Sequence, residues 1–324
     1  MKTKGFNMQI RRWFCLLLFG AWTAWAVAQP AYPNKAIKVI VPFPPGGVTD
    51  LGARIVLDRM AIALGQPMVI DNRPGAGSKL GTHLVMKAPK DGYTLYFNNN
   101  SYSILSALDA EAGYDAESDL TPVAMGATYG MAVVVNPAEP AQNLLDFLES
   151  ARKNPGKFTF GSAGVGSGSH FMGEFLKQIA RVDMLHIPFK STQLATQEVA
   201  AGRVNLAFEG SVKPYVDAGK VRILAVTDTQ RDPRFPQVPT VTEAGLPEFT
   251  YISWLGLLVP NGVPEPIVKR LNEAFNEATM DPVVKRKLAD MGLNATATSP
   301  TQFTQVIREE VQRYKKMSQS ISLK

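Results

Sequence analysis

The sequence predicts an α/β protein of two domains with a ligand cleft between them. Apolar, strand-like runs alternate with amphipathic, helix-like runs through most of the chain, which is typical of sheets covered by helices. At two places, residues 120–136 and 246–260, strand follows strand without a helix between them. The length of 324 residues also favours two domains. We interpret the two interruptions as crossings between domains whose sheets are mainly parallel, and clefts at such junctions commonly bind small ligands.

Residues 1–28 have the pattern of a secretory signal peptide. The first twelve residues carry four Lys or Arg and no acid, and an uncharged apolar stretch then ends at Ala28 in an A-x-A pattern. This stretch is shorter than the ~20 apolar residues of a membrane span. We expect cleavage before Gln29 and export to the periplasm. The pair Arg11 and Arg12 also fits a twin-arginine signal, so Sec and twin-arginine export both stay open.

The charge and the cysteine count exclude several classes of function. The formal net charge is +6, but without the four basic residues of the leader 30 Lys and Arg face 28 Asp and Glu. This balance, and the lack of a basic run with interleaved aromatics, gives no reason to expect nucleic acid as a partner. The only cysteine, Cys15, lies in the leader, which excludes thiol catalysis and disulfides in the mature chain. We expect a soluble, exported monomer.

The elements of the first half follow in order. Residues 37–43 are a nearly continuous apolar run, as in a strand covered on both faces. Residues 49–65 form an amphipathic helix that Thr49 or Asp50 can cap and that Gly65 ends. The further elements are a strand at 67–72, a helix at 78–88, and strands at 93–98, 120–127 and 131–137.

The second half repeats this alternation. Helices are predicted at 143–156, 169–180, 192–202 and 212–219, and strands at 157–163, 183–189, 204–208 and 221–227. A proline-rich connection leads to a strand at 251–260 and to three closing helices at 264–280, 281–292 and 299–320. This order predicts domain 1 from residues 29–128 and 252–324, and domain 2 from residues 129–251.

Two glycine-rich loops join strands to helices, but they match no nucleotide-binding motif. The loop at Gly47 has the glycine spacing of a Walker sequence, yet Ala53 and Arg54 stand where lysine and serine or threonine are required. The loop "GSAGVGSGSH" has Ser169 in place of the third glycine of G-x-G-x-x-G. No serine stands in a G-x-S-x-G elbow, and the three histidines lack metal-ligand spacing. We therefore predict no cofactor and no metal.

Both loops can bind an anion. A helix N-terminus has unpaired N–H groups and a partial positive charge, and glycine lets an anion approach these groups closely. One such loop alone would more simply be a tight turn, whereas two in opposite domains favour a carboxylate bound across the cleft. Two further strand ends are polar, at residues 97–103 and at Glu209. His170 could be a base, a ligand contact or a local structural residue, and Glu209 a ligand partner or a solvated loop charge.

The same stretches resemble a known family over nearly the whole mature chain. They include "YPNKAIKVIVPFPPGGVTD", "DNRPGAGS", "NPGKFTFGSAGVGSGSH", "AGKVRILAVT" and "VPTVTEAGLPEF". The chain is similar to the extracytoplasmic solute receptors of tripartite tricarboxylate transporters, the Bordetella uptake gene (Bug) family. It departs from that pattern at Phe189, Ser191 and Glu209, which leaves the identity of the ligand open.

The resemblance implies a type II periplasmic binding protein fold that captures a small carboxylate for a membrane transporter. Family ligands are di- and tricarboxylates, acidic amino acids and some aromatic acids. The predicted ligand-binding residues are Phe43, Pro45, Gly46, Gly47, Thr49, Asp50, Asn98, Asn99, Ser101, Ser162, Ala163, Gly164, Gly166, Ser167, Ser169, His170, Lys190, Phe208 and Glu209. Two alternatives remain: an exported enzyme on the same scaffold with His170 or Glu209 as general base, and a ligand-dependent sensor that docks on a membrane kinase.

Overall fold

The first apolar run after the predicted leader forms strand β1 (Ile37–Val41) of a computed structural model, which describes residues 32–317. All of its side chains are buried except that of Lys38, as expected for a strand covered on both faces. The predicted leader, residues 1–28, lies outside the described residues, as does the end of the last predicted helix.

The remaining elements follow in chain order. The strands are β2 (Met68–Asn72), β3 (Thr94–Asn99), β4 (Leu120–Gly130), β5 (Ala132–Val135), β6 (Phe158–Ser162), β7 (Met184–Pro188), β8 (Leu206–Glu209), β9 (Arg222–Val226), β10 (Ile252–Pro260) and β11 (Asn294–Ala295). The helices are α1 (Val48–Leu64), α2 (Lys79–Met86), α3 (Ser101–Leu108), α4 (Leu144–Lys153), α5 (Gly168–Ala180), α6 (Thr192–Ala200), α7 (Lys213–Asp217), α8 (Glu265–Met280), α9 (Pro282–Asp290) and α10 (Pro300–Met317). None of these helices is long and apolar enough to cross a membrane.

The strands form two sheets. The first has six strands in the order β11-β4-β10-β3-β1-β2, and the second has five in the order β7-β6-β8-β5-β9. β1 pairs in parallel with β2 and β3, and β6 pairs in parallel with β7 and β8. β10 is antiparallel to both β3 and β4, and β5 is antiparallel to both β8 and β9.

The α/β class and the crossings are confirmed, but the expectation of mainly parallel sheets is wrong. The chain passes from the first sheet to the second between β4 and β5, where Met131 alone separates the strands. It returns between β9 and β10 through residues 227–251. The strands at these crossings enter each sheet against the direction of their neighbours, so both sheets are mixed. The domain boundaries at residues 128 and 252 stay a prediction.

Each sheet has its own apolar core. In the first, Trp254 of β10 packs edge-on against Phe303 of α10, with ring centroids 4.9 Å apart, in one cluster with Tyr96. In the second, Val134 of β5 and Ala207 of β8 pack with helix α6. Burial of one large apolar side chain contributes about 1.5–3 kcal/mol, so these two cores stabilise the sheets from whose strand ends the loops extend.

Candidate functional site

Four helices begin at one cavity between the two sheets. Their N-cap residues are Gly47 (α1), Asn100 (α3), Ser167 (α5) and Ser191 (α6), and all four line the cavity. Its volume is about 40 Å³. The lining residues are Phe43, Gly47, Val48, Thr49, Asn99, Asn100, Ser101, Tyr129, Met131, Ala163, Ser167, Gly168, Ser169, Ser191, Thr192, Gln193, Tyr251 and Ser253. None has a charged side chain, so the cavity's electrostatic character comes mainly from helix N-termini, each equivalent to about +0.5 of an elementary charge.

The first glycine loop is shaped by Asp50, whose side chain is buried. Its carboxylate accepts hydrogen bonds of 2.9 Å from Gly46 N, Asn72 Nδ2, and Nε and Nη2 of Arg54. Burial by itself would raise the pKa of Asp50, but the hydrogen bonds from Arg54, Gly46 and Asn72 outweigh it, so the pKa is lowered and the group is ionised. The Asp50 carboxylate and the Gly46 N–H are therefore already hydrogen-bonded to each other. The first helical bond, from Leu51 N to Gly47 O, leaves the N–H groups before it without an intrahelical partner.

The second glycine loop is held by its own side chains. Ala163 N donates to Ser169 Oγ at 2.9 Å, and Gly166 N donates to His170 Nδ1 at 3.2 Å. Gly168 N donates to Ser101 Oγ at 3.2 Å, which ties this loop to the start of α3. Many of the loop's backbone N–H groups are thus already bonded within the protein. The hydroxyl hydrogen of Ser101 is left to donate to a ligand instead.

His170 is buried and His186 is partly buried, and both lie behind this loop and not on the cavity wall. His170 and His186 are stacked with ring centroids 3.9 Å apart, and Ser162 Oγ lies 2.6 Å from His186 Nε2. Burial, with smaller contributions from His186 and Lys177, lowers the pKa of His170 to about 3, and burial with Lys177 lowers the pKa of His186 to about 4. Both rings are neutral at physiological pH, and His170 acts as a hydrogen-bond acceptor for the loop.

Glu209 is buried at the end of β8, beside the start of α6. Its carboxylate faces the hydroxyls of Thr192 and Thr196, the amide of Gln193 and the N–H of Ser211. Burial raises the pKa of Glu209, although these hydrogen bonds oppose the shift. The carboxylate thus supports the α6 residues that line the cavity, without lining it itself.

The structure brings part of the predicted set together. Phe43, Gly47, Thr49, Asn99, Ser101, Ala163, Ser167 and Ser169 line the cavity. The other predicted residues do not line it in this conformation: Pro45, Gly46, Asp50, Asn98, Ser162, Gly164, Gly166, His170, Lys190, Phe208 and Glu209. Pro45, Gly46 and Lys190 are exposed. The side chains of Asp50 and His170 hydrogen-bond the glycine loops from behind, and that of Glu209 hydrogen-bonds the start of α6. The assignment of all these residues to ligand binding stays a prediction.

Sequence reasoning missed most of the cavity wall that is formed by the start of α6 and by the two crossings. Ser191, Thr192 and Gln193 begin α6, and the Ser191 hydroxyl accepts from Leu194 N at 3.3 Å as a helix cap. A serine before an amphipathic run is a helix-start signal that could have found them. Tyr129 and Tyr251 come from the two crossings, and no local signal marks them because only the folded chain brings them together.

The two walls of the cavity touch directly. A Cβ on Gly47 would lie 3.3 Å from Gln193 Oε1 of the opposite wall, and a Cβ on Gly166 would overlap Leu105. Tyr251 OH, from the second crossing, donates to Asn100 Oδ1 at 2.9 Å. The two sides of the cavity are therefore in contact, and glycine permits their close approach at these positions. Among residues 32–317 no group of three or more His, Asp or Glu side chains is placed to hold a metal ion.

Comparison with known proteins agrees with this architecture. A family model described as "Tripartite tricarboxylate transporter family receptor" matches residues 52–323. Protein BugT of Bordetella pertussis is 32% identical over 292 residues, which cover 89% of this chain and 90% of BugT.

Two solved structures have the same fold over nearly their whole length. MatC from Rhodopseudomonas palustris with bound malate gives a TM-score of 0.85 at 32% identity, covering 89% of this chain and 100% of MatC. The periplasmic binding protein BugD gives a TM-score of 0.85 at 28% identity, covering 90% of this chain and 100% of BugD. The fold predicted from the resemblance is thereby confirmed. The chain belongs to the receptor family of the tripartite tricarboxylate transporters, together with the Bug proteins.

Proposed function

We propose that this receptor captures a small organic carboxylate in the cavity between its two sheets. The observation that carries the proposal is the convergence of four helix N-termini on a cavity without charged side chains. Unpaired N–H groups and the positive ends of helix dipoles favour an anion there. The malate bound by MatC, which shares the fold, supports a carboxylate over other anions.

The small size of the cavity favours a small acid and a cleft that opens to admit it. A water molecule needs about 10–15 Å³ of such space, so about 40 Å³ is too little for an acid of the size of malate unless the walls move apart. The close contacts between the walls at Gly47 and Gly166 would have to separate before a ligand enters. We place the hinges for this motion within the two crossings, at Met125–Asn136 and Phe249–Val259.

The capture would serve transport and not turnover. Neither His170 nor Glu209, the two general bases considered from the sequence, lines the cavity, and both make internal hydrogen bonds. The relatives that share this fold are binding proteins, such as BugD. We propose that the receptor works in the periplasm after cleavage before Gln29, and that it delivers its ligand to the membrane components of a tripartite tricarboxylate transporter.

A thermal-shift screen tests the proposal. The protein is unfolded and refolded to remove any acid carried from the cell, and organic acids are compared with neutral sugars of similar size. A ligand at a hundred times its dissociation constant adds ~2.7 kcal/mol to the free energy of unfolding, so a carboxylate should raise the midpoint clearly. Lys190→Ala should respond like the wild type because Lys190 is exposed and outside the cavity. Stabilisation by sugars alone would reject the proposal.

A further inference from the structure

Glu209 fixes the orientation of the Gln193 side-chain amide. Glu209 Oε1 lies 3.4 Å from Gln193 Nε2, 3.3 Å from Thr192 Oγ1 and 2.9 Å from Ser211 N. A carboxylate oxygen accepts hydrogen bonds, so the amide nitrogen of Gln193 faces it and the amide oxygen faces away. Protonation of the acid leaves this unchanged, since Oε2 faces the Thr196 hydroxyl at 3.2 Å and can carry the proton while Oε1 still accepts.

The amide oxygen of Gln193 is consequently presented at the cavity wall beside Gly47. It lies 3.3 Å from the point that a Cβ on Gly47 would occupy, whereas Nε2 lies 3.8 Å from it. Among the described residues no donor is bonded to this oxygen. The Thr192 hydroxyl, directed at Glu209, likewise keeps its lone pairs for the cavity. This wall therefore offers hydrogen-bond acceptors.

The facing wall offers hydrogen-bond donors. Thr49 Oγ1 accepts from Asn99 Nδ2 at 3.0 Å, and Ser101 Oγ accepts from Gly168 N at 3.2 Å. Because an amide nitrogen can only donate, each of these hydroxyls keeps its own hydrogen for a ligand. Together with the free N–H groups at the start of α1, they suit the oxygens of a carboxylate.

The two walls meet at Gly47, where donors for a carboxylate and the acceptor of Gln193 are neighbours. From this arrangement we infer that Gln193, oriented by Glu209, selects ligands that carry a hydroxyl group on the carbon next to the bound carboxylate. This inference rests on the proposed function and specifies its substrate class. A hydroxyl fits better than an ammonium group, because four helix N-termini surround the cavity and no lining side chain is acidic.

Matched acids that differ only in the 2-hydroxyl test the inference. Calorimetry on refolded protein compares malate with succinate and lactate with propionate. One neutral hydrogen bond corresponds to roughly a tenfold difference in dissociation constant. In any pair that binds, the acid with the 2-hydroxyl should therefore bind about tenfold tighter than the acid without it. Gln193→Met removes the acceptor at similar volume and should bring the ratio towards one. Glu209→Met should do the same, because it removes the acceptor that holds the Gln193 amide nitrogen, and it carries the test if Gln193→Met does not fold. Gln197→Met, an exposed change on the same helix, should keep the wild-type ratio.

The outcomes separate the inference from the function beneath it. Equal binding of malate and succinate by the wild type, or an unchanged ratio in Gln193→Met, overturns the inference while the carboxylate receptor stands. Tighter binding of aspartate than of malate overturns the choice of a hydroxyl group. If neither the acids with a 2-hydroxyl, nor their partners without it, nor any acid of a wider panel binds, the proposed function fails and the inference fails with it.

Discussion

Replacing Asp50 by alanine tests whether this carboxylate builds the first loop of the cavity. The change removes the acceptor of Gly46 N, Asn72 Nδ2 and the Arg54 guanidinium, all at 2.9 Å. A hydrogen bond to a charged group contributes about 1.5–3 kcal/mol, but Arg54 is 47% exposed and its share is reduced by solvent to at most about 1 kcal/mol. Asn72 keeps a second acceptor in Phe43 O. We therefore expect a loss of about 3 kcal/mol in the free energy of unfolding.

Urea unfolding followed by circular dichroism measures this loss, with Asp58→Ala as the control. Asp58 is an exposed acid on the same helix, so its removal should change the free energy of unfolding by less than about 0.5 kcal/mol. Calorimetry on Asp50→Ala should also show weaker carboxylate binding, because Gly46 and the start of α1 lose their anchor. If Asp50→Ala matches the control in stability and binds normally, Asp50 does not shape the site.

The same pair of variants gives a pH dependence. The folded-state pKa of Asp50 is lowered from 3.8, so its contribution to stability is present above the unfolded-state pKa and is lost as the pH falls through the folded-state pKa. The stability difference between wild type and Asp50→Ala should therefore shrink in acid. A difference that stays constant below pH 4 would contradict this account.

Three further predictions follow from other parts of the molecule. Gly47→Val should weaken carboxylate binding, because the new Cβ would contact Gln193 across the cavity. The loss of stability should be small, because Gly47 has an ordinary φ of −75°. Normal binding in calorimetry would show that this loop is only a turn. If residues 125–136 and 249–259 are hinges at which the ligand-free protein opens in solution, ligand binding should return it to this compact arrangement and reduce the radius of gyration in small-angle scattering. An unchanged radius at saturation argues for a rigid site. Burial raises the pKa of Glu310 from 4.5 to about 7. Between these two pH values the folded protein keeps a proton that the unfolded chain releases, so the free energy of unfolding should fall as the pH rises through this range. Glu310→Gln should remove that fall in urea titrations, and an unchanged slope of the free energy of unfolding against pH would refute the assignment.

The fold could be predicted where local patterns decide it. The apolar run of β1 and the amphipathic pattern of α1 each identify their element without reference to the rest of the chain. Helix α3 was not predicted, because its serines interrupt the apolar periodicity within only eight residues. The antiparallel placement of β4 and β10 was missed for a different reason. Their partners are set by the two crossings, and strand direction after a crossing leaves no trace in the local pattern.

The site was predictable where glycine and serine mark a close approach of backbone and ligand. Gly47, Ser167 and Ser169 line the cavity as the loop composition indicated. Composition cannot show that Asp50 and His170 would turn their polar atoms onto the loops themselves, since that depends on which N–H groups the fold leaves unpaired. It also cannot show that Glu209 would act through Gln193, because these residues meet only when β8 and α6 pack together.

Native mass spectrometry of the protein purified from the periplasm shows whether this receptor holds a small carboxylate between its two sheets. We expect a bound small organic acid that is released on unfolding, carries a 2-hydroxyl group, and rebinds to refolded wild type but only weakly to Gly47→Val. A released sugar, peptide or metal ion that rebinds in place of any acid would contradict the account.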